Sequence, residues 1–516
     1  MTGARLQRIA LCTFVVAGAM SSRPITAANP CEDLATHVLP HTVVTRAQMV
    51  PAGRFAATPS GLVAPGAPSF KPYSELPAFC RIAATLAPSA DSEIKIELWM
   101  PAEHWNGRFE AEGNGGWAGS ISVQALAGAL SRGYAVATTD TGHSTRDGDF
   151  AFGHPEKLID FAYRAVHEMT VQSKALVRTY YGRAPTASYW NGCSTGGRQG
   201  LKEAQRYPAD YDGIVAGAPT NNMTHMLASD LWIAAATMKD PASMIPKEKY
   251  AVIHQAALDA CDALDGLKDG VIDDPPRCRF DPSVIACKGA DGPACLTAPQ
   301  VEAARKIYAP SKNPRTGSEI FPGLAIGSEL GWAGLAGGPA PMSISTDYYK
   351  FIVFKNPAWD YRTFDFDKDV ALADALDNGD DNALDPDLRA FAGRGGKLLM
   401  YHGWADQAVA PQNSVNYYAS VVTALGGADK TADSVRLFMA PGMAHCAGGE
   451  GPSNFDKLGP LEQWVEQKKA PDRIEAFRLA AGKVDRTRPL CPYPKVAVYS
   501  GTGSTHEASN FVCKLR

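Results

Sequence analysis

The chain has 516 residues, 45% hydrophobic and 20% charged, enough apolar surface for a large core and more length than one ordinary domain needs. Its formal net charge is −4, with no long basic or acidic run, which removes the electrostatic case for nucleic acid or an anionic membrane surface as a partner. No glycine loop of the nucleotide-binding kind opens a helix after the first strand, and no His or Cys set suggests a redox metal.

Arg5 and Arg8 precede an apolar stretch, residues 9–20, that is too short to span a bilayer, and Thr26-Ala27-Ala28 offers small residues for cleavage. This pattern predicts a signal peptide over residues 1–28 and export to the periplasm or beyond. Cys12 lies inside the apolar stretch, too early for a lipid-anchor site, and no membrane anchor is expected. Residues 29–75, rich in Pro, Ala and turn formers, read as an extended lead-in. Residues 94–100 alternate apolar and polar as a strand, and residues 108–112 form a second strand candidate. They run into the flexible loop Gly113-Asn114-Gly115-Gly116-Trp117. Residues 125–131 suggest a helix, 134–139 a buried strand, and 161–181 a longer helix.

Residues 187–191 read as a short strand that runs into Gly192-Cys193-Ser194-Thr195-Gly196. Gly-x-Ser-x-Gly in a strand-to-helix turn is the nucleophile elbow of the α/β-hydrolases, where the glycines allow a sharp turn and leave the serine hydroxyl exposed. An ordinary Gly-rich turn is the plainer alternative. A helix over 201–207 and a buried strand over 211–218 complete the expected setting. Strands alternating with helices predict a mostly parallel sheet covered on both faces.

Residues 220–390 break that rhythm with four cysteines, many prolines and glycines and no clear alternation, and read as an inserted lid domain. The catalytic domain then comprises residues 29–219 and 391–516. Within the insertion, Asp262, Asp265 and Asp269 recur at short spacing with glycines between them. Such a loop suits a Ca²⁺ ion with backbone carbonyls completing the shell, or is simply an acidic solvated loop; it is not an EF-hand.

The alternation returns with a strand over 396–403, a helix over 415–425 and a strand over 435–439. A serine needs a base to take its proton and a carboxylate to orient that base, and in this fold the order is Ser, then acid, then His. Asp406 lies just past one late strand and His445 just past the last, so Ser194, Asp406 and His445 are the candidate triad. His402 competes for the base but precedes the acid, and is read as structural. The oxyanion would be met by the N–H of Thr195 and by one from the early glycine loop, with Gly116 favoured.

Without Cys12, ten cysteines remain, an even number suited to an oxidising compartment. Spacing suggests the pairs Cys261–Cys278, Cys287–Cys295 and Cys491–Cys513, with Cys31–Cys80 holding the N-terminal segment. No Cys-x-x-Cys occurs, which argues against zinc. Cys193 and Cys446 flank the candidate nucleophile and base, so a bridge between them would staple the elbow to the histidine loop; a small buried Cys193 is the other option.

Together, Gly192-Cys193-Ser194-Thr195-Gly196-Gly197, Asp406 after His402-Gly403, His445-Cys446 and the acidic loop resemble the tannase and feruloyl esterase family, which includes the mono(2-hydroxyethyl) terephthalate hydrolases. The resemblance covers most of the mature chain. It implies a serine esterase of the α/β-hydrolase fold with the triad and the Cys193–Cys446 bridge just named. It also implies a structural Ca²⁺ in the lid held by Asp262, Asp265 and Asp269 with the carbonyls of Leu267 and Val271. The implied partner is a small aromatic ester. Terephthalate-monoester hydrolases grip the free carboxylate with a lid arginine, and residues 322–350 contain none, which tilts the reading towards a hydroxycinnamate or other aromatic ester, with a tannase or a terephthalate-monoester esterase as the alternative. Trp332, Tyr348, Tyr349 and Phe351 line a pocket or form lid core. A peptidase or thioesterase on the same triad, or an inactive binding module on the same fold, are the alternatives. Nothing in the sequence sets an oligomeric state.

Overall fold

In a computed structural model, residues 1–3, 30–56, 73–117 and 119–515 are described. The signal-peptide expectation falls almost wholly on residues 4–28, outside the described ones. Among the described residues, the chain from the lead-in to the strand beyond the elbow supplies β1 (Thr42–Val50), β2 (Phe79–Leu86), β3 (Ile94–Pro101), β4 (Arg108–Glu112), β5 (Ala135–Thr139), β6 (Ala187–Cys193) and β7 (Gly213–Gly217). A small hairpin, β8 (Ser311–Lys312) and β9 (Glu319–Phe321), stands apart from β10 (Lys397–Gly403) and β11 (Val435–Ala440), which rejoin the main sheet.

The nine main strands order as β1-β2-β3-β5-β4-β6-β7-β10-β11. The first four pair antiparallel and the rest, from β5 to β11, pair parallel. The lead-in is therefore partly a strand. β1 lies at the sheet edge with most of its side chains exposed or half-exposed, so it lacks the apolar alternation that marks a covered strand.

The parallel strands show why two faces need covering. Trp190, Leu398 and Met400 enter one hydrophobic cluster, and their neighbours Tyr189, Leu399 and Tyr401 enter the other. Successive side chains point to opposite faces of a strand, so both faces of the sheet are core. Helices close them: Ala165–Tyr181 and Thr195–Arg206 contribute Val166, Met169, Leu176 and Leu201 to one cluster, and Val123–Leu130 and Leu458–Gln467 contribute Leu126, Leu130, Leu461 and Trp464 to the other.

Residues 220–390 add no strand to the main sheet and supply most of a further hydrophobic cluster, which also takes in Trp117, Phe150, Phe161 and Val409 from outside that stretch. Leu227, Leu231, Ile253, Val301, Ile307, Trp332, Tyr348 and Tyr349 are buried together there. Trp332, Tyr348 and Tyr349 are thus packing residues of this region, and Phe351 is half-buried at its edge. After β11 the chain forms a three-stranded sheet, β12 (Asn454–Phe455), β13 (Ile474–Ala480) and β14 (Lys483–Leu490), and a last hairpin, β15 (Val496–Tyr499) and β16 (Phe511–Lys514). Five disulfides join Cys31–Cys80, Cys193–Cys446, Cys261–Cys278, Cys287–Cys295 and Cys491–Cys513.

Candidate active site

Within the parallel run β6-β7-β10-β11, three strands are each followed at their carboxyl end by one candidate residue. β6 leads into Ser194, β10 into Asp406 and β11 into His445. Ligand sites in open α/β sheets gather outside such carboxyl ends.

Ser194 sits between β6 and the helix Thr195–Arg206 at φ 63° and ψ −122°. Positive φ is costly for a residue with a side chain and persists where the surroundings hold it. Here the Ser194 N–H donates to the Gly217 carbonyl at 2.9 Å, and its own carbonyl accepts from the N–H of Arg198 at 3.0 Å. The turn closes so tightly that a Cβ at Gly192 would lie 2.4 Å from the Gly196 carbonyl oxygen. Only glycine fits there, which is the physical content of the motif.

The glycine loop after β4 is bolted onto this elbow. The Gly196 N–H donates to the Asn114 carbonyl at 2.8 Å, the Asn114 backbone N–H donates to Gln199 Oε1 at 3.0 Å, and Gln199 Nε2 donates to Asn114 Oδ1 at 3.1 Å. The Thr195 hydroxyl donates to the Gly116 carbonyl at 3.1 Å, and Gly116 takes φ 57°. Thr195 is the first residue of its helix, and the N–H groups of a first helical turn have no intrahelical acceptor. Beneath the loop, burial and then the charge of Glu110 push the Glu112 carboxyl well above its usual range.

Asp406 is fully buried and accepts four hydrogen bonds. Its Oδ1 takes the N–H groups of Ala408 and Val409 at 2.8 and 2.9 Å, and its Oδ2 takes His445 Nδ1 at 2.8 Å and His402 Nε2 at 3.0 Å. Burial raises its pKa, but the charge of His445 and the bonds from His402 and His445 outweigh this and hold the acid well below the carboxylate range. For His445, burial works against the charged form, and the Asp406 charge and hydrogen bond more than reverse it, leaving the pKa raised. The histidine loop is tied to the acid loop by Ala405 N–H on the Met443 carbonyl at 3.0 Å and by His445 N–H on Gln407 Oε1 at 3.4 Å.

The Cys193–Cys446 disulfide sets the Cα atoms of the residues flanking Ser194 and His445 6.0 Å apart, across 253 residues of chain. Cross-linking so long a loop stabilises by roughly 2–4 kcal/mol. His402, read from sequence as structural, is the side chain whose place the sequence reading misses: its partner is the acid itself, four residues on. The histidine-plus-carboxylate spacing is visible in the sequence, but a strand-to-loop turn is needed to bring the two together.

In the acidic loop, Asp262 accepts the N–H groups of Asp269 and Gly270 at 3.1 and 2.9 Å, and Asp265 accepts that of Leu267 at 2.9 Å. Asp269 pairs with Arg488 and Arg486 from β14, and its carbonyl accepts from Arg486 at 2.8 Å. Elsewhere among the described residues, ligand atoms of His167, Glu203 and Asp210, and of Cys287, Asp291 and Cys295, gather within 4.8 Å, the latter two thiols being consumed by their disulfide. The loop aspartates form no such group, because each is turned to backbone N–H groups or to the arginines. Their chemistry still fits a hard cation: three carboxylates and the Leu267 and Val271 carbonyls, all oxygen donors on one loop closed by Cys261–Cys278.

The family description "Tannase and feruloyl esterase" matches residues 80–514. An uncharacterized esterase of Xanthomonas campestris pv. campestris is 39% identical, covering 98% of this chain and 94% of that protein. A probable feruloyl esterase B of Aspergillus clavatus is 35% identical over 98% of this chain and 100% of its own. Among solved structures, feruloyl esterase B from Aspergillus oryzae superposes with a TM-score of 0.86 at 31% identity, covering 94% of this chain and 99% of that one. The tannin acyl hydrolase of Aspergillus niger, at 22% identity and TM-score 0.78, shares the fold over 94% of each chain. The architecture is that of an α/β-hydrolase.

Proposed function

The chain belongs to the tannase and feruloyl esterase family and is a carboxylic ester hydrolase, and from that premise we propose that it is a serine esterase acting on esters of hydroxycinnamic acids through an acyl-enzyme. The observation that carries the mechanism is the join between the elbow and the base: Cys193 and Cys446 hold the Ser194 and His445 loops together, and His445 is already on Asp406.

In this mechanism Ser194 Oγ attacks the ester carbonyl while His445 Nε2 takes the hydroxyl proton. The N–H groups of Thr195 and Gly116 stabilise the oxyanion. The tetrahedral intermediate collapses, the alkoxide leaves with the proton from His445, and an aromatic acyl group remains on Ser194. Water, deprotonated by His445, then releases the acid and restores the serine. Asp406 stays ionised throughout and orients the imidazole.

The substrate reading rests on the feruloyl esterase relatives and on the lack of an arginine over residues 322–350. A panel of methyl ferulate, a gallate ester and a terephthalate monoester separates the three acyl classes. Wild type hydrolyses methyl ferulate fastest, and Ser194→Ala loses at least about 10³-fold in kcat; equal rates in the two would end the proposal. The acidic loop is proposed to hold a structural Ca²⁺ through Asp262, Asp265, Asp269 and the carbonyls of Leu267 and Val271, bracing the lid away from the chemistry. Export fits the five disulfides, and no helix among the described residues is long and apolar enough to cross a membrane.

A further inference from the structure

We infer that His402 is a positioning residue for the acyl transfer just proposed: it shares one carboxylate oxygen of Asp406 with the base, fixing the rotation of the acid and limiting how strongly the acid holds His445.

The tautomer follows from the neighbours. His402 Nε2 lies 3.0 Å from Asp406 Oδ2 and 3.1 Å from the Val409 carbonyl oxygen. Neither oxygen carries a proton at working pH, so Nε2 is the protonated nitrogen and donates to both. Nδ1 then accepts from the Ser414 hydroxyl at 2.7 Å, on the helix Gln412–Ala424. His402, Asp406 and Ser414 are all fully buried, so water does not substitute for any of these bonds. Two imidazole N–H groups thus converge on Oδ2, one fixed in the core and one on the base that must exchange a proton. The titratable groups facing Asp406 are His402 from β10 and His445 from the loop after β11; Asp406 is the charged group facing His445. His254 and Glu450 line a cavity together with Trp404, Gln407 and Ala444 of the acid and histidine loops; neither acts on Asp406 or His445 in their titration.

A second donor makes a carboxylate less basic. With it present, the imidazolium formed at His445 is stabilised enough to form and not so much that it traps the proton. Without it, Asp406 gains basicity, the imidazolium is over-stabilised, and His445 stays protonated to higher pH.

The test uses two amides of different reach. The longer amide of His402→Gln places an N–H near where Nε2 was, whereas the shorter amide of His402→Asn keeps a partner for Ser414 and leaves Asp406 without the donor. The readout is the pH profile of kcat/KM on methyl ferulate, together with burst titration of Ser194 by a fluorophosphonate to count folded sites. His402→Asn should move the acid limb up by about 0.5–1 pH unit and lower kcat about tenfold with KM within about twofold. His402→Gln should restore most of both. An acid limb in His402→Asn that is unmoved or shifted down, or a His402→Gln profile displaced as far as that of His402→Asn, overturns the inference. Should His402→Asn fail to fold, Ser414→Ala is read instead: it weakens the same relay and should shift the limb in the same direction by a smaller amount, and no shift counts against the role. The proposal depends on the serine mechanism, and the two fail separately. If Ser194→Ala retains activity, the mechanism falls whatever His402 does; if Ser194 labels and its alanine variant is dead, only the His402 reading is at stake.

Discussion

Asp406 uses its whole acceptor capacity, and that sets how His445, the proposed base, titrates. A general base works only when neutral, so the raised pKa of His445 places the acid limb of kcat/KM above the ordinary imidazole value of about 6.5. Activity should rise with pH through that limb and flatten beyond it, and a pH–rate profile on methyl ferulate measures the midpoint; a limb below about 6 would contradict the assignment of His445. The meeting of Asp406 and His445 is legible in the sequence because each follows a strand end, as Ser194 does, in the order this fold uses. His402 is not, because its role depends on which side of a turn its ring falls.

Between elements, two joins make separate predictions. The first is the Cys193–Cys446 bridge between the elbow and the histidine loop. Its mild reduction, or the Cys193→Ser/Cys446→Ser pair, should cut kcat several-fold while the far-ultraviolet signal of the sheet is retained, because the loop that carries the base is freed before the core is. Full turnover in the reduced protein would remove the stapling role. The second join is Asp230, on the buried helix Met223–Thr237 of the insertion, which accepts the Ser345 hydroxyl at 2.6 Å. Burial pushes its pKa up to about 7, a rise the Ser345 bond only partly offsets. The folded state therefore binds this proton more tightly than the unfolded chain does. Its contribution is intact below pH ~4 and is lost as pH rises towards 7. Asp230→Asn should raise Tm at pH 8 by several degrees, corresponding to roughly 2–4 kcal/mol, with little change at pH 4. A Tm that falls at pH 8 would mean that the ionised form is compensated there.

Element boundaries show where sequence pattern stops. The helix after the elbow begins at Thr195, six residues before its apolar period is visible. Its first turns are glycine-rich because strand and helix touch: a Cβ at Gly200 would lie 2.6 Å from Trp190 Cδ1. Glycine is a poor helix former, so close packing hides the helix from a propensity reading. β1 escapes notice for the opposite reason, having too little burial to leave an apolar alternation.

Across the whole molecule, the acidic loop of residues 262–271 links the insertion to the C-terminal sheet. Asp269 meets Arg486 and Arg488 of β14, more than 200 residues away in sequence. A cation bound there would neutralise the remaining carboxylates and brace both regions together. Metal-free protein prepared with a chelator should melt several degrees lower than protein with Ca²⁺ restored, by differential scanning calorimetry, with kcat at low temperature little changed. Equal melting temperatures would show that the arginines alone suffice. That residues 220–390 add no strand to the main sheet is legible from the break in strand–helix rhythm. The long-range arginine contacts are not, because β14 and the loop carry no local signal of each other.

The helix that begins at Thr195 also grips the far end of the insertion. Arg198, completely buried, reaches the carboxylate of Asp381 at 2.6 Å and its carbonyl at 2.9 Å. Lys202 donates to the carbonyls of Gly379 and Asn382, and Gln205 to that of Ala383. Anyone transplanting the insertion between relatives to change acyl preference therefore has a seam to respect. A cut that separates residues 377–383 from their cationic clamp strands a guanidinium in the core one helical turn from Ser194. A graft that spares the clamp must also keep Thr220, whose N–H donates to the Ser194 carbonyl at 3.3 Å, and the Asp269 pairing with Arg486 and Arg488.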